Sequence, residues 1–214
     1  MACAAVGGVS RRDCECFASC DWGFNAPGCV LWWLVLPDNG LHIVREYKFQ
    51  LMTAEDVARQ IKKINGELGL TPRYIAADPA MWQKTGAGKG ESHAETLIRH
   101  GLPMRKSDND RFNGWMRVHE LLRPMNEHRP WLTVDPSCKY LIRTMAEAVA
   151  DKDKPEDVDT ECDDHALDAL RYGAMSRPPV WSMRAQRAAD LPANSWGMWK
   201  RFHRRASERV GAIA

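Results

Sequence analysis

CECFASCD (14–21), CVLWWLVL (29–36) and LHIVREYKFQ (41–50) follow one another with a turn-rich joint between each pair. The first segment ends on an acid. The second is the longest apolar run of the chain and has the length of a buried strand. A membrane span would need about 20 apolar residues in a row. The joints are DWGFNAPG (21–28), crowded with turn formers, and PDNG (37–40), a hairpin signal. The third segment alternates well enough to be the returning strand. Three strands joined this way predict an antiparallel meander.

Outward from the meander, helix and strand signals alternate. Thr53 is placed to cap a helix, with Glu55 and Asp56 in its first turn, Val57, Ile61, Ile64 and Leu68 on one stripe, and Gly69 to end it. RYIAAD (73–78) reads as a short buried strand ending at Asp78. Ser92 and Glu95 have capping-box spacing for a second helix that stops at Gly101. PMRKSD (103–108) is a strand. Phe112, Trp115, His119 and Leu122 mark a third helix before Pro124. WLTVD (131–135) is a strand, and Asp135-Pro136 predicts an N-cap with proline at the first position of a fourth helix carrying Tyr140, Leu141, Met145 and Val149. A charged loop, DKDKPEDVDTE (151–161), leads to a last helix, DDHALDALRYGAM (163–175), with small apolar residues on its packing face. The pattern predicts an α/β fold with a mixed central sheet, the meander followed by parallel strands, flanked by helices.

With 214 residues, 44% hydrophobic and 27% charged, the chain can bury a sizeable core, and its composition argues against wholesale disorder. The net charge is only +2, so any nucleic-acid surface must come from charge distribution. Residues 1–13 read as a leader without the basic and apolar regions of a secretory signal. Residues 14–176 form the domain. Residues 177–214 form a basic tail, about +6 from eight Lys/Arg and two acids, that holds three of the nine tryptophans. Seven cysteines without a secretory signal favour a reducing compartment. Cys14, Cys16, Cys20 and Cys29 have no common zinc spacing, and small thiols facing a core are the expected reading.

The chemistry lies in the acids. Asp21 ends the first strand and Asp78 ends YIAAD. Asp164 and Asp168 are four apart on the last helix, a turn apart on one face. At about 4 Å and an effective dielectric near 20, each pair of carboxylates repels by roughly 4 kcal/mol. A cluster of them therefore calls for protons or divalent cations, and hard oxygen donors suit Mg²⁺ or Mn²⁺. Two such ions form the clamp used in phosphodiester hydrolysis. Asp168 lies among Ala166, Leu167, Ala169 and Leu170, where an unpaired carboxylate would be costly, so a bound cation is expected there. Asp163 is assigned a capping role. His165, three residues before Asp168, shares the active face as a ligand or proton carrier. Trp22 and Trp82 are expected to wall the site, and Arg171 and Tyr172 to pair within the domain.

DWGFNAP (21–27), YIAADPA (74–80) and DDHALDALRYGAMSRP (163–178), with DNDRFNGWMRVHELLRP (108–124) between, resemble the C-terminal nuclease domain of the large terminase subunit of tailed bacteriophages. That domain is similar to ribonuclease H and the Holliday-junction resolvases. The resemblance covers about residues 14–178 and implies an Mg²⁺- or Mn²⁺-dependent endonuclease, with two ions, that cuts concatemeric viral DNA during packaging. It implies Asp21 as the first acid, bridging both ions, and Asp78 as the second. Asp168, Asp164 and His165 contend for the third position. Implied partners are double-stranded DNA, portal protein, small terminase subunit and an ATPase domain or subunit, in the host cytoplasm and away from membranes. A junction resolvase or transposase-like nuclease is the enzymatic alternative, and an inactive portal-docking module the non-enzymatic one. TGAGKGES (85–92) imitates a phosphate loop but has Gln83 and Gly90 where that motif needs Gly and Ser or Thr, so it reads as a glycine loop near the second acid.

Overall fold

The computed structural model describes residues 14–84, 90–125, 129–155, 157–159 and 162–178. The leader, the glycine loop from 85 to 89 and the tail beyond 178 lie outside the described residues. The elements are β1 (Glu15–Asp21), β2 (Gly28–Val35), β3 (Leu41–Phe49), α1 (Ala54–Leu68), β4 (Ile75–Ala77), α2 (His93–Arg99), β5 (Met104–Lys106), α3 (Arg111–Leu122), β6 (Leu132–Val134), α4 (Lys139–Glu147) and α5 (His165–Met175). One six-stranded sheet runs in the order β5-β4-β1-β2-β3-β6. β1, β2 and β3 pair antiparallel, while β4 joins β1, β5 joins β4 and β6 joins β3 in parallel. The mixed sheet expected from the sequence is the sheet observed.

CVLWWLVL lacks alternation because both of its faces are covered. Val30, Trp32 and Leu34 join Cys16, Ala18 and Cys20 in a core completed by Val57, Ala58 and Ile61 of α1 and Leu97 of α2. Trp32 Nε1 donates to Asn65 Oδ1 at 2.7 Å on that side. Trp33 takes the other side, where its Nε1 donates to Ser19 Oγ at 2.9 Å and its ring stacks on Phe17. Adjacent tryptophans on opposite faces follow from the period of two along a strand, and each buried indole nitrogen has an acceptor. α5 packs on β1 and β2 over Trp33, and α3 and α4 pack against α5. The approach is close enough that a Cβ on Gly173 would lie 2.4 Å from Trp33 Cζ2. Cys16 and Cys20 face the α1 side and Cys29 does not, so these thiols do not converge on a zinc site. Burial, with a smaller push from Glu15, raises the Cys16 thiol to about 12.

Local capping rules hold for the first half of the chain. Thr53 accepts from Asp56 N, Gly69 closes α1 in the left-handed region, and both halves of the Ser92–Glu95 capping box are present. They fail at α4. Asp135 caps a turn instead, accepting from Ser137 N at 2.9 Å, and α4 starts at Lys139. Its N-terminus is satisfied from a distance by Glu46 of β3, whose carboxylate oxygens accept from Tyr140 N and Leu141 N at 2.8 Å each. The helix ends at Glu147, leaving Val149 outside it and exposed. α3 is also rotated from the expected stripe: Gly114, Trp115, Val118 and Leu121 are buried, while Phe112 and Leu122 face outward.

Candidate active site

Parallel pairing of β1 with β4 aligns Cys20 with Ala77, so the next residue on each strand, Asp21 and Asp78, leaves the same edge of the sheet. Asp78 N donates to Cys20 O at 3.3 Å, which fixes the two backbones side by side. Carboxyl ends of parallel strands are the usual place for a site in an α/β sheet. Asp78 also caps the 3₁₀ turn Pro79–Trp82, accepting from Ala80 N at 2.9 Å. Beside it opens a cleft of about 270 Å³ lined by Trp22, Asp78, Met81, Gln83, Lys84 and His93, in which Trp22 stacks on His93. Trp22 thus lines the cleft at Asp78. Trp82 does not line this cleft and lies beneath Lys106.

The N-terminus of α5 arrives over the same edge. His165 Nδ1 lies 3.2 Å from Asp21 Oδ2. Asp21 is only 6% exposed. Burial raises its pKa most, the His165 hydrogen bond opposes that, and the charges of Asp168 and Asp78 add to it, for a value of about 7. His165 is raised in turn, chiefly by its bond to Asp21. Asp164 is raised by burial and by Asp168. Tyr172, buried beneath, has its phenol pushed up by burial first and then by Asp168, Asp78 and Asp21. The carboxylates of β1, β4 and α5 therefore act on one another electrostatically.

Two α5 expectations are corrected. Asp163 is no cap: it accepts from Tyr140 Oη and from Arg143 at 2.9 Å, and the N-cap position falls to Asp164, whose side chain makes no cap bond. Asp168 is not an unpaired carboxylate. Arg171 Nε donates to its Oδ1 at 3.0 Å, and Arg111 NH1 reaches Oδ1 at 3.3 Å and Oδ2 at 3.2 Å. Arg111 also approaches Asp164 at 3.7 Å and donates through Nε to both oxygens of Asp157 at 2.8 Å. Arg171 and Tyr172 pair inside the domain, as expected.

Arg111 and Asp157 are the residues that sequence reasoning missed. A signal was present: Arg111 occupies the first position of α3, the positive end of the helix dipole, where a cation needs acidic partners. Asp157 sat unremarked in a charged loop. It is fixed by Trp115 Nε1 at 2.7 Å and its own neighbour Val158 N at 2.8 Å. Burial works to raise Asp157, but bonds from Arg111, Trp115 and Val158 outweigh it and hold the carboxyl below its ordinary range.

Asp21, Asp78, Asp164 and Asp168 form an all-oxygen donor set of the kind a hard divalent cation takes, so the chemistry fits. As the side chains stand, no group of three His, Cys, Asp or Glu closes around a point among the described residues. Asp164 and Asp168 face Arg111 instead.

Solved structures with a similar fold include large terminases and their nuclease domains. The large terminase of a thermophilic bacteriophage superposes with a TM-score of 0.61 at 20% identity, over 76% of this chain but 39% of that one. The chain thus spans about two fifths of that protein. The P22 large terminase nuclease domain gives 0.59 at 18% identity over 80% and 87% of the two chains. The large terminase nuclease of thermophilic phage G20c with bound cobalt gives 0.54 at 15% identity over 77% and 82%. Nothing matches among the curated proteins. Residues 18–177 match the family model of the terminase RNase H-like domain, and the chain belongs to that family.

Proposed function

We propose that residues 14–176 form a divalent-metal-dependent endonuclease domain that hydrolyses phosphodiester bonds of double-stranded DNA, with little sequence preference, during viral genome packaging. The observation that carries the reading is the β1–β4 register, which sets Asp21 beside Asp78 under the N-terminus of α5. Asp21, Asp78, Asp168 and Asp164 would hold Mg²⁺ or Mn²⁺, two ions in the terminase-like case. Bound ions would activate a water and stabilise the leaving oxygen. Asp21 and Asp78 are held by strand backbones and so offer fixed donors. His165 shares a proton with Asp21 at its Nδ1 and keeps that carboxylate oriented. Trp22 and His93 close one side of the Asp78 cleft against water.

Residues 14–176 carry 20 Lys/Arg against 25 Asp/Glu, a net charge of −5, and among the described residues no helix is rich in Arg, Asn and Gln, so binding would run through local basic clusters to phosphate and fall steeply with salt. The complete protein would act with an ATPase domain or subunit, portal and small terminase subunit in the host cytoplasm. Among the described residues no helix is long and apolar enough to cross a membrane. The test is cleavage of plasmid DNA. The full chain nicks it with Mn²⁺ or Mg²⁺ and not in EDTA, and Asp78→Asn is inactive with an unchanged melting temperature. Cleavage that survives EDTA or Asp78→Asn refutes the assignment.

A further inference from the structure

Asp168 has two arginine partners of different character. Arg171 is 1% exposed, and its stem packs against Gly114, where a Cβ would lie 2.5 Å from Arg171 Cγ. It is a fixed partner that touches Oδ1 alone at 3.0 Å. Arg111 comes from the first turn of another helix. It binds Asp157 through two bonds of 2.8 Å, and reaches Asp168 at 3.2 and 3.3 Å and Asp164 at 3.7 Å. Its short contacts are to the carboxylate outside the acid cluster, and its long ones are to the two inside it. A guanidinium anchored on one acid and spanning two others lies where a cation shared by Asp164 and Asp168 would have to lie.

We infer that Arg111 is a positioning residue that stands in for the divalent cation on Asp164 and Asp168, and that metal binding displaces it from them while Asp157 keeps it anchored. The inference rests on the metal-dependent reading above. Before metal binds, Arg111 offsets the repulsion between the two α5 carboxylates and keeps them facing inward. When metal binds, the contacts to Asp168 and Asp164 are released, and those to Asp157 persist. Arg171 holds Asp168 Oδ1 throughout, so its Oδ2 is the oxygen surrendered. Asp157, braced by Trp115 and Val158, limits how strongly Arg111 competes.

Mn²⁺ binding to the full chain by calorimetry, with melting of the metal-free protein alongside, tests this. Arg111→Gln removes the competing charge. A charge-assisted hydrogen bond of this class corresponds to roughly tenfold in a binding constant, so Kd for Mn²⁺ falls by about that factor while the metal-free protein melts lower. Arg111→Lys stays near wild type, because the charge persists. Asp157→Asn weakens the anchor, leaves the guanidinium to Asp168 and Asp164, and raises Kd several-fold. A folded Arg111→Gln that binds Mn²⁺ no tighter than wild type overturns the inference. If that variant does not fold, Asp157→Asn decides: unchanged or tighter Mn²⁺ binding overturns it. Wild-type protein that binds no Mn²⁺ overturns the metal reading of the domain as well, so the two failures are distinguishable.

Discussion

Replacing Asp21 by Asn should stabilise the metal-free domain at alkaline pH and leave it unchanged in acid. An ordinary aspartate loses its proton near pH 4. In the folded chain Asp21 holds it to about 7, because burial outweighs the His165 hydrogen bond. The folded protein therefore binds a proton that the unfolded chain has already released, and stability falls as pH rises from about 4 to just above 7. At about 1.4 kcal/mol per pH unit, the full window corresponds to on the order of 4 kcal/mol, and relaxation around the ionised group brings this to about 2–4 kcal/mol. His165 moves in the same direction. Its raised pKa contributes stability that is complete below about pH 6.5 and is lost as pH passes its folded value. Asparagine has nearly the same volume and no charge. For a domain of this size 1 kcal/mol is about 2–4 °C. In EDTA at pH 8, Asp21→Asn should therefore melt roughly 4–16 °C above wild type; at pH 5 the gap should shrink to about a third of that, and it should close only below about pH 4. Mn²⁺ should raise the wild-type melting temperature at pH 8 and leave the variant where it was. Parallel pH profiles for the two proteins, or an Asn variant that is less stable at pH 8, would show that the Asp21 carboxylate is not the strained group.

Asp168→Asn should act with the opposite sign on metal-free stability. It leaves the buried Arg171 and the half-buried Arg111 without their shared carboxylate, at a cost of about 3 kcal/mol that a lowered urea midpoint would report; a neutral or stabilising result would show that the two arginines do not depend on Asp168. Gly173→Ala should cost about 1–3 kcal/mol, since Trp33 is held by its bond to Ser19 and cannot recede from a new Cβ. An unchanged melting temperature would show that α5 can lift from the sheet freely.

Interactions close along the chain, and the periods of strands, were legible from the residues. The meander, α1 with Thr53 and Gly69, and the Ser92–Glu95 box all follow from neighbours within a few positions. Asp21 and Asp78 were legible for the same reason. Each ends an apolar strand, and only the parallel register was needed to make them neighbours. What escaped was set by distant partners. Asp135-Pro136 carries a sound local cap signal, yet α4 begins three residues later, where Glu46 from β3 supplies a cap across 94 residues of sequence. Nothing near Lys139 records that acid. The expected stripe on α3 missed Gly114, which is buried because Arg171 lies against it. A glycine carries no apolar signal, so hydrophobicity could not place Gly114 on the packed face beside Trp115, Val118 and Leu121.

The argument for a cation at the α5 acids changes footing for the same reason. From the sequence, a cation is expected at Asp168 because a lone carboxylate among apolar residues would be costly without one. Two arginines already remove that cost, so the apolar surroundings of Asp168 no longer argue for metal. Asp164 offers a different argument. It occupies the N-cap of α5, where an aspartate that bonds the helix end is worth about 1 kcal/mol, yet it makes no such bond. It is buried, its pKa is raised by burial and by Asp168, and Arg111 stands 3.7 Å away. A carboxylate that forgoes its local stabilisation and is only loosely paired is the one with most to gain from a divalent ion. Asp168, fixed by Arg171, would then turn its second oxygen to the same ion once Arg111 withdraws. The two acids make a graded pair: one is held ready by the buried arginine, and the other is left under-satisfied at the helix end.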